Sequence, residues 1–260
     1  MLATLLAAAA SSPALAEGDA ELAKATQNPI AALISLPLQY NYDSDIGPVK
    51  DGHKSQLNVQ PVIPFSIGTD WNLISRTIVP LISQNDVTPG AGTQSGIGDI
   101  TQSLFFSPKK PTASGWIWGA GPVFLLPAGH DDLTADKWGA GPTAVLLKQD
   151  SGWTYGALAN HIWSFAGADQ RRDISSTFVQ PFLSYTTKTY TTFGINTEST
   201  YDWKSEKWSV PINLSATQLL KIGGQPMTLS AGARYWADSP EGVGPKGWGF
   251  RLTATFLFPK

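Results

Sequence analysis

The sequence predicts an all-β fold: a transmembrane antiparallel β-barrel of about twelve strands, with short turns at one end and longer loops at the other. Three observations predict it. Segments that alternate apolar and polar side chains with a period of two recur from residue 32 to the end of the chain. Each is near the ten or so residues that a tilted strand needs to cross a bilayer. Charged residues make up only 15 % of the chain, against about 25 % in ordinary soluble domains. Yet the mean hydropathy is only -0.08. Low charge without high hydropathy suits a wall whose lipid-facing and lumen-facing residues alternate and average out. Ten Trp, seven Tyr and eleven Phe can supply aromatic girdles at two membrane interfaces.

Residues 1–16 read as a secretory signal. Leu2 to Ala10 is an apolar core, and Ala14-Leu15-Ala16 is a small-x-small cleavage site before Glu17, although no Lys or Arg precedes the core. Export, with cleavage after Ala16, is the expectation. Residues 17–29 form a short periplasmic segment in which Asp19 to Gln27 can make a helix that ends at Asn28-Pro29. This segment is expected to be peripheral. The barrel itself is assigned to residues 30–260.

Strands are expected at about 32–43, 55–66, 71–83, 98–107, 116–126, 138–149, 153–165, 175–187, 189–201, 207–220, 226–237 and 248–258. The first is clear: Ile34, Leu36, Leu38, Tyr40 and Tyr42 alternate with Ser35, Gln39, Asn41 and Asp43. In the second, Leu57, Val59, Ile63 and Phe65 alternate with Gln56, Asn58, Gln60 and Ser66. The fourth is poorly phased because Leu104, Phe105 and Phe106 are contiguous. In the last, Phe250, Leu252, Ala254, Phe256 and Phe258 share one face, and Arg251, Thr253, Thr255 and Leu257 the other.

Connections near 67–70, 108–115, 150–152, 187–188 and 221–225 are the shorter, periplasmic set. Those near 44–54, 84–97, 127–137, 166–174, 202–206 and 238–247 are the extracellular set; all but 202–206 are long. An even strand count leaves both chain ends on the periplasmic side. Pro37, Pro61, Pro64, Pro80, Pro122, Pro142, Pro181 and Pro211 all fall inside expected strands. Proline cannot donate to a ladder, so bulges or shorter paired spans are expected there. Trp-Gly-Ala-Gly-Pro occurs twice, at residues 118–122 and 138–142, near the starts of consecutive strands.

Composition also excludes several classes. A net charge of -2 gives no electrostatic case for nucleic acid. With no Cys there is no disulfide framework and no thiolate metal site or nucleophile. No phosphate-binding Gly loop or zinc motif appears, so no cofactor is expected. His130-Asp131-Asp132 could hold a divalent cation, but a solvated loop is the simpler reading.

Charges well inside the strands are few: Arg76, Asp99, Glu198, Arg234 and Arg251. Strand phase points Glu198, Arg234 and Arg251 inward. Arg76 and Asp99 sit in strands of ambiguous phase, but placing Arg against lipid at the bilayer midplane costs about 2–4 kcal/mol, so the lumen is expected for them too. Glu198, Arg234 and Arg251 should lie in its outer half. They can either screen solutes at a constriction or fill a narrow barrel as an ion network. Gln39, Asn41, Gln56, Asn58, Gln60, Gln180, Asn196 and Asn213 add an amide-rich lining. His161 is the one His in an expected strand, with Ser164 nearby. Residues three apart on a strand point to opposite faces, so they are poorly placed as a catalytic pair, and His161 beside Trp163 reads as girdle.

Several stretches together carry a family likeness: Asn58-Val-Gln-Pro-Val-Ile-Pro-Phe65, Asp70-Trp-Asn-Leu73, Gly98-Asp-Ile100, Ser103-Leu-Phe-Phe-Ser-Pro-Lys-Lys-Pro111, both Trp-Gly-Ala-Gly-Pro copies, Ser199-Thr-Tyr-Asp-Trp203 and Gly232-Ala-Arg-Tyr-Trp236. They resemble a family of bacterial outer-membrane barrel proteins described as transporters and grouped with the outer-membrane protein of a phenol meta-cleavage degradation pathway. The aromatic-ended last strand also resembles the closing strand of outer-membrane barrels, though Pro259 and Lys260 follow Phe258. The resemblance implies location in the bacterial outer membrane and uptake of small molecules. The expected function is passive passage of small, aromatic or weakly polar solutes, with outer-membrane lipid and the solute as partners. A structural barrel without transport is the alternative, and a lipid hydrolase ranks below it.

Overall fold

The chain's structure, a computed structural model, describes residues 16–129 and 133–259. The signal-like run before residue 16, the His130-Asp131-Asp132 triplet and Lys260 lie outside the described residues. After helix α1 (Ala16–Thr26), strands follow in the order β1 (Ile34–Ile46), β2 (Gly52–Val59), β3 (Val62–Ile67), β4 (Trp71–Asn85), β5 (Thr93–Ile97), β6 (Ile100–Pro108), β7 (Trp116–Leu126) and β8 (Lys137–Asp150). They continue with β9 (Trp153–Gly167), β10 (Ser175–Thr186), β11 (Thr191–Thr197), β12 (Ser199–Asp202), β13 (Lys207–Ile222), β14 (Gln225–Asp238) and β15 (Gly247–Phe258).

Three membrane passes are split in two: β2/β3 at Gln60-Pro61, β5/β6 at Gly98-Asp99, and β11/β12 at Glu198. The result is a closed antiparallel barrel of 12 passes. Each pass pairs with its sequence neighbours, β9 with β10 included. The ring closes where β15 runs against β1, from Phe258 opposite Ile34 to Phe250 opposite Tyr42. Closure leaves no open sheet edge, which is what lets strands cross lipid.

The period of two sorts the wall. Outward-facing Leu81, Leu146, Leu183, Ile195, Leu214, Leu229 and Leu252 are exposed and form an apolar belt. Aromatic pairs border it at both ends. Near the short turns, Trp71 meets Trp118 edge-on with ring centroids 5.8 Å apart, and Trp153 meets Tyr185 at 4.9 Å. Near the long loops, Tyr201 meets Trp203 at 4.8 Å and Tyr235 meets Trp248 at 5.0 Å. An apolar band between two aromatic girdles on a closed barrel is the architecture of a bacterial outer-membrane protein.

The interior is filled unevenly. On one wall Ile74, Phe105, Val145, Leu147 and Leu158 turn inward and bury one another, with Val62, Ile117, Phe178 and Phe182 packed against them. Ile30, from the N-terminal segment, is buried in the same cluster. The stretch that follows α1 thus reaches into the barrel interior. The Asn28 side chain accepts from the Ile30 N–H at 2.9 Å, which turns the chain inward where Pro29 ends the helix. Ala23 of α1 is buried with Leu219 and Leu257 from the barrel wall. Lys221 reaches Asp19 at 2.6 Å, and Gln149 Nε2 donates to the Lys24 carbonyl at 2.9 Å. The helix closes over the periplasmic mouth because its Ala/Leu face finds apolar side chains there.

One copy of the repeated Trp-Gly-Ala-Gly-Pro makes room for the apolar cluster. The two copies lie on β7 and β8 and face each other, with Pro122 opposite Pro142. A Cβ on Gly119 would lie 3.1 Å from Ile30 Cδ1 and 3.3 Å from Phe105 Cβ, so the glycine makes room for both. A Cβ on Gly141 would lie 1.7 Å from the His161 carbonyl oxygen. Here the β8–β9 ladder skips from Ala140–Trp163 to Thr143–Asn160. The expected disruption by proline is partly seen. Pro61 sits in the β2/β3 break and Pro211 at a register shift, while Pro37 and Pro181 sit within continuous register. Gly141→Ala should destabilise the barrel by about 1–3 kcal/mol through overpacking against backbone, whereas Gly18→Ala, with open space around it, should not. Urea unfolding of the folded protein in lipid vesicles measures both.

Candidate functional site

Opposite the apolar wall the lumen is polar and holds two cavities. The lower one, toward the periplasm, has a volume of about 300 Å³ and is bordered by Gln60, Arg76, Asn196, Asn213 and Arg251. Its floor is the N-terminal segment, with Ala25 to Pro29, Ala31 and Leu33 all contributing. The upper cavity, about 340 Å³, is bordered by Asn41, Asp43, Lys54, Asn58, Glu198, Arg234, Trp236 and Arg251. Arg251 borders both.

A charged network stands between them. Arg251 clamps Glu198 with two parallel bonds, Nη1 to Oε1 at 2.8 Å and Nη2 to Oε2 at 2.7 Å. Its Nε donates to Asn41 Oδ1 at 2.7 Å. Register dictates that last bond, because Asn41 and Arg251 are direct cross-strand partners on β1 and β15. The Glu198 bond cannot come from register, since β13 and β14 lie between the two residues in the wall. It is a chord through the lumen. Glu198 can supply it because it falls in the β11/β12 break, where its N–H reaches only the Pro211 carbonyl, at 3.4 Å. Interruptions of this kind re-aim side chains.

Arg234 joins from β14. Nη1 donates to Asn41 Oδ1 at 3.2 Å, Nε stands 3.4 Å from Asp43 Oδ1 without forming a hydrogen bond, and the guanidinium lies 4.6 Å above the Trp236 ring. Trp236 Nε1 donates to the same Asp43 oxygen at 2.7 Å. The bidentate and cation–π contacts hold both guanidinium planes in fixed orientations.

The other candidate residues divide. Arg76 makes no ion pair with the network, although the Glu198 charge reaches it; it lies on the wall of the lower cavity, where Nη2 donates to Gln60 Oε1 at 3.1 Å. Asn213 Nδ2 donates to Asn196 Oδ1 at 2.8 Å in the same cavity, leaving Asn213 Oδ1 buried with no protein partner. Asn58 sits in a chain of amides, accepting from Gln56 and donating to Gln39. Gln180 borders neither cavity; its inward neighbours along β10, Phe178 and Phe182, belong to the apolar wall. Asp99 takes no part in the lumen network. The irregularity at Gly98-Asp99 hands its carboxylate to the loop before β8, where the Thr134 hydroxyl and the Ala135 N–H, the latter at 2.9 Å, donate to it.

Asp43 and Lys54 were missing from the sequence-derived site. In the sequence reading Asp43 is the last residue of the first strand, outside the charges well within the spans, and Lys54 is part of the connection at 44–54, whereas β1 and β2 run on and pair Asp43 with Lys54 across the ladder.

His161 and Ser164 do not meet. Ser164 bonds Asp173 and the Ile174 backbone, while His161 Nδ1 lies 2.7 Å from Thr177 Oγ1 and its ring is 4.1 Å from that of Trp163.

Solved structures share this fold. One is an outer membrane channel from Pseudomonas putida F1, with a TM-score of 0.69 at 15 % identity, over 89 % of this chain and 97 % of that one. Another is the NanC porin, with a TM-score of 0.50 at 9 % identity, over 87 % and 100 %. At such identities the likeness is one of fold. No family model and no curated protein matches the chain.

Breaking a buried pair from one side leaves an uncompensated charge, which costs about 3–5 kcal/mol, whereas replacing both partners by apolar groups of similar volume is often close to neutral. Glu198→Leu should therefore destabilise the barrel strongly, and Glu198→Leu combined with Arg251→Met should recover most of the loss. A double-mutant cycle by urea unfolding measures the coupling.

Proposed function

We propose that this protein is a passive channel for small solutes, with the Arg251–Glu198–Arg234 cluster as its constriction. The observation that carries the reading is the arrangement of the two polar cavities. They lie on one side of a closed barrel and meet at a single charged partition, so the polar half of the lumen forms an interrupted path between its two ends. The fold shared with an outer membrane channel supports it. The resemblance of several sequence motifs to those of barrels grouped with phenol meta-cleavage degradation favours solutes built on an aromatic ring.

The path is narrow by construction. The apolar cluster fills the other half of the lumen, and α1 with residues 27–33 closes the periplasmic end. A structural barrel is the second reading, and that apolar filling is what favours it.

Single-channel recording in planar bilayers separates the two. The full chain should show small, stepwise conductance, and the chain lacking residues 17–33 should conduct several-fold more, because the floor of the lower cavity is gone. Folded barrels of both forms that carry no current would leave the structural reading standing.

A further inference from the structure

We infer that the path selects small organic monocarboxylates, with Lys54 as the charge that meets them in the upper cavity and Arg76 as the group that binds them in the lower one. The inference rests on the channel reading and adds the sign and chemistry of the solute.

The charges in the polar half do not balance. Lys54, Arg76, Arg234 and Arg251 face Asp43 and Glu198, four cations against two carboxylates. Both carboxylates are spoken for. Glu198 is clamped by Arg251, and Asp43 is shared between Arg234 and Trp236. Among the described residues, the other two cations make no ion pair. Lys54 stands opposite Asp43 in the ladder and feels its charge without forming an ion pair, and Arg76 feels Glu198 in the same way while its guanidinium makes a single hydrogen bond, to the neutral Gln60. A guanidinium carries five N–H donors in a fork that matches a carboxylate. Most of the Arg76 fork is therefore left for whatever occupies the cavity it borders.

One of these cations lies on each side of the neutralised partition, so an anion has a positive charge to approach at both steps and a cation has none. Narrow, low-dielectric walls concentrate that preference. The lower cavity also fixes the body of the solute. Val62, Leu33 and Leu257 border it together with Arg76, so a carboxylate against the guanidinium places its apolar part against them. At about 300 Å³ the cavity is at the small end of the usual range for ligand sites, about 300–1,000 Å³, which suits one ring or a short chain.

The test uses the folded full chain in planar bilayers, with reversal potentials in a KCl gradient and with benzoate and benzyl alcohol as probes of equal shape and different charge. The wild type should pass chloride several-fold more readily than potassium. Lys54→Gln and Arg76→Gln should each lower that ratio, and the pair together should bring it near one. Benzoate should block the chloride current of the wild type and lose most of that effect in Arg76→Gln, while benzyl alcohol blocks neither. Potassium preference, an unchanged ratio in the conducting double variant, or equal block by the alcohol would overturn the inference while leaving the channel intact. Absence of current in the full chain and in the form lacking residues 17–33 would overturn the channel reading and this inference with it.

Discussion

The structure depends on one constraint: a chain that crosses lipid as strands must pair every backbone group with itself, and therefore must close. Closure at 12 passes leaves an interior that side chains can nearly fill. What remains to be settled by sequence is how that interior is divided. Here one wall carries Phe105, Phe178, Phe182 and the branched residues around them, and the facing wall carries hydroxyls, amides and charges. An apolar cluster on a curved wall has no second sheet to pack against. Ile30 from outside the barrel supplies part of the missing layer, and Gly119 on β7 supplies space for it. The N-terminal segment is thus a component of the core and not an appendage to it.

The polar wall is built at the expense of regular pairing. Gln60, beside Arg76, sits where β2 gives way to β3, and Glu198 sits where β11 gives way to β12. Both breaks involve proline: Pro61 in one, and Pro211 across from the other. A proline in a closed barrel removes a ladder bond that nothing outside can replace. The loss is offset locally where the freed stretch lets a side chain leave strict register. The clamp between Glu198 and Arg251 shows the gain, because residues that far apart around the wall could not otherwise be joined.

Much of this was legible in the sequence, for a physical reason. The period of two depends only on which face of a strand meets lipid, so it survives in a single chain. The segment expected at 116–126 is β7 to the residue, and the phase of the last strand correctly put Arg251 inside and Phe250 outside. What could not be read is what depends on three dimensions. Asp99 looked like a lumen charge until the two-residue break at Gly98-Asp99 turned it to a loop. Lys54 looked like connection, and Asp43 like the mere end of a strand, because polar residues near a strand end resemble a loop, although lumen-facing residues of an outer-membrane barrel are polar as well. The helix at Ala16–Thr26 was legible as a helix, but nothing in its own pattern names Leu219 and Leu257 as the surfaces it would find.

The division of the interior also separates two properties that are often joined in one element. The N-terminal segment reaches the lower cavity through Ala25, Thr26, Gln27, Asn28, Pro29, Ala31 and Leu33, none of which is charged. Its own charges are used elsewhere, as with Asp19 on Lys221 at the periplasmic rim. Every charge that borders either cavity comes from the barrel wall. The segment can therefore set how much of the lower cavity is open without altering the sign of the field there, and the wall can set the sign without altering the opening. A substitution at Arg76 and a truncation before Ile34 should act on different observables, because the residues that govern charge and those that govern size belong to different parts of the chain.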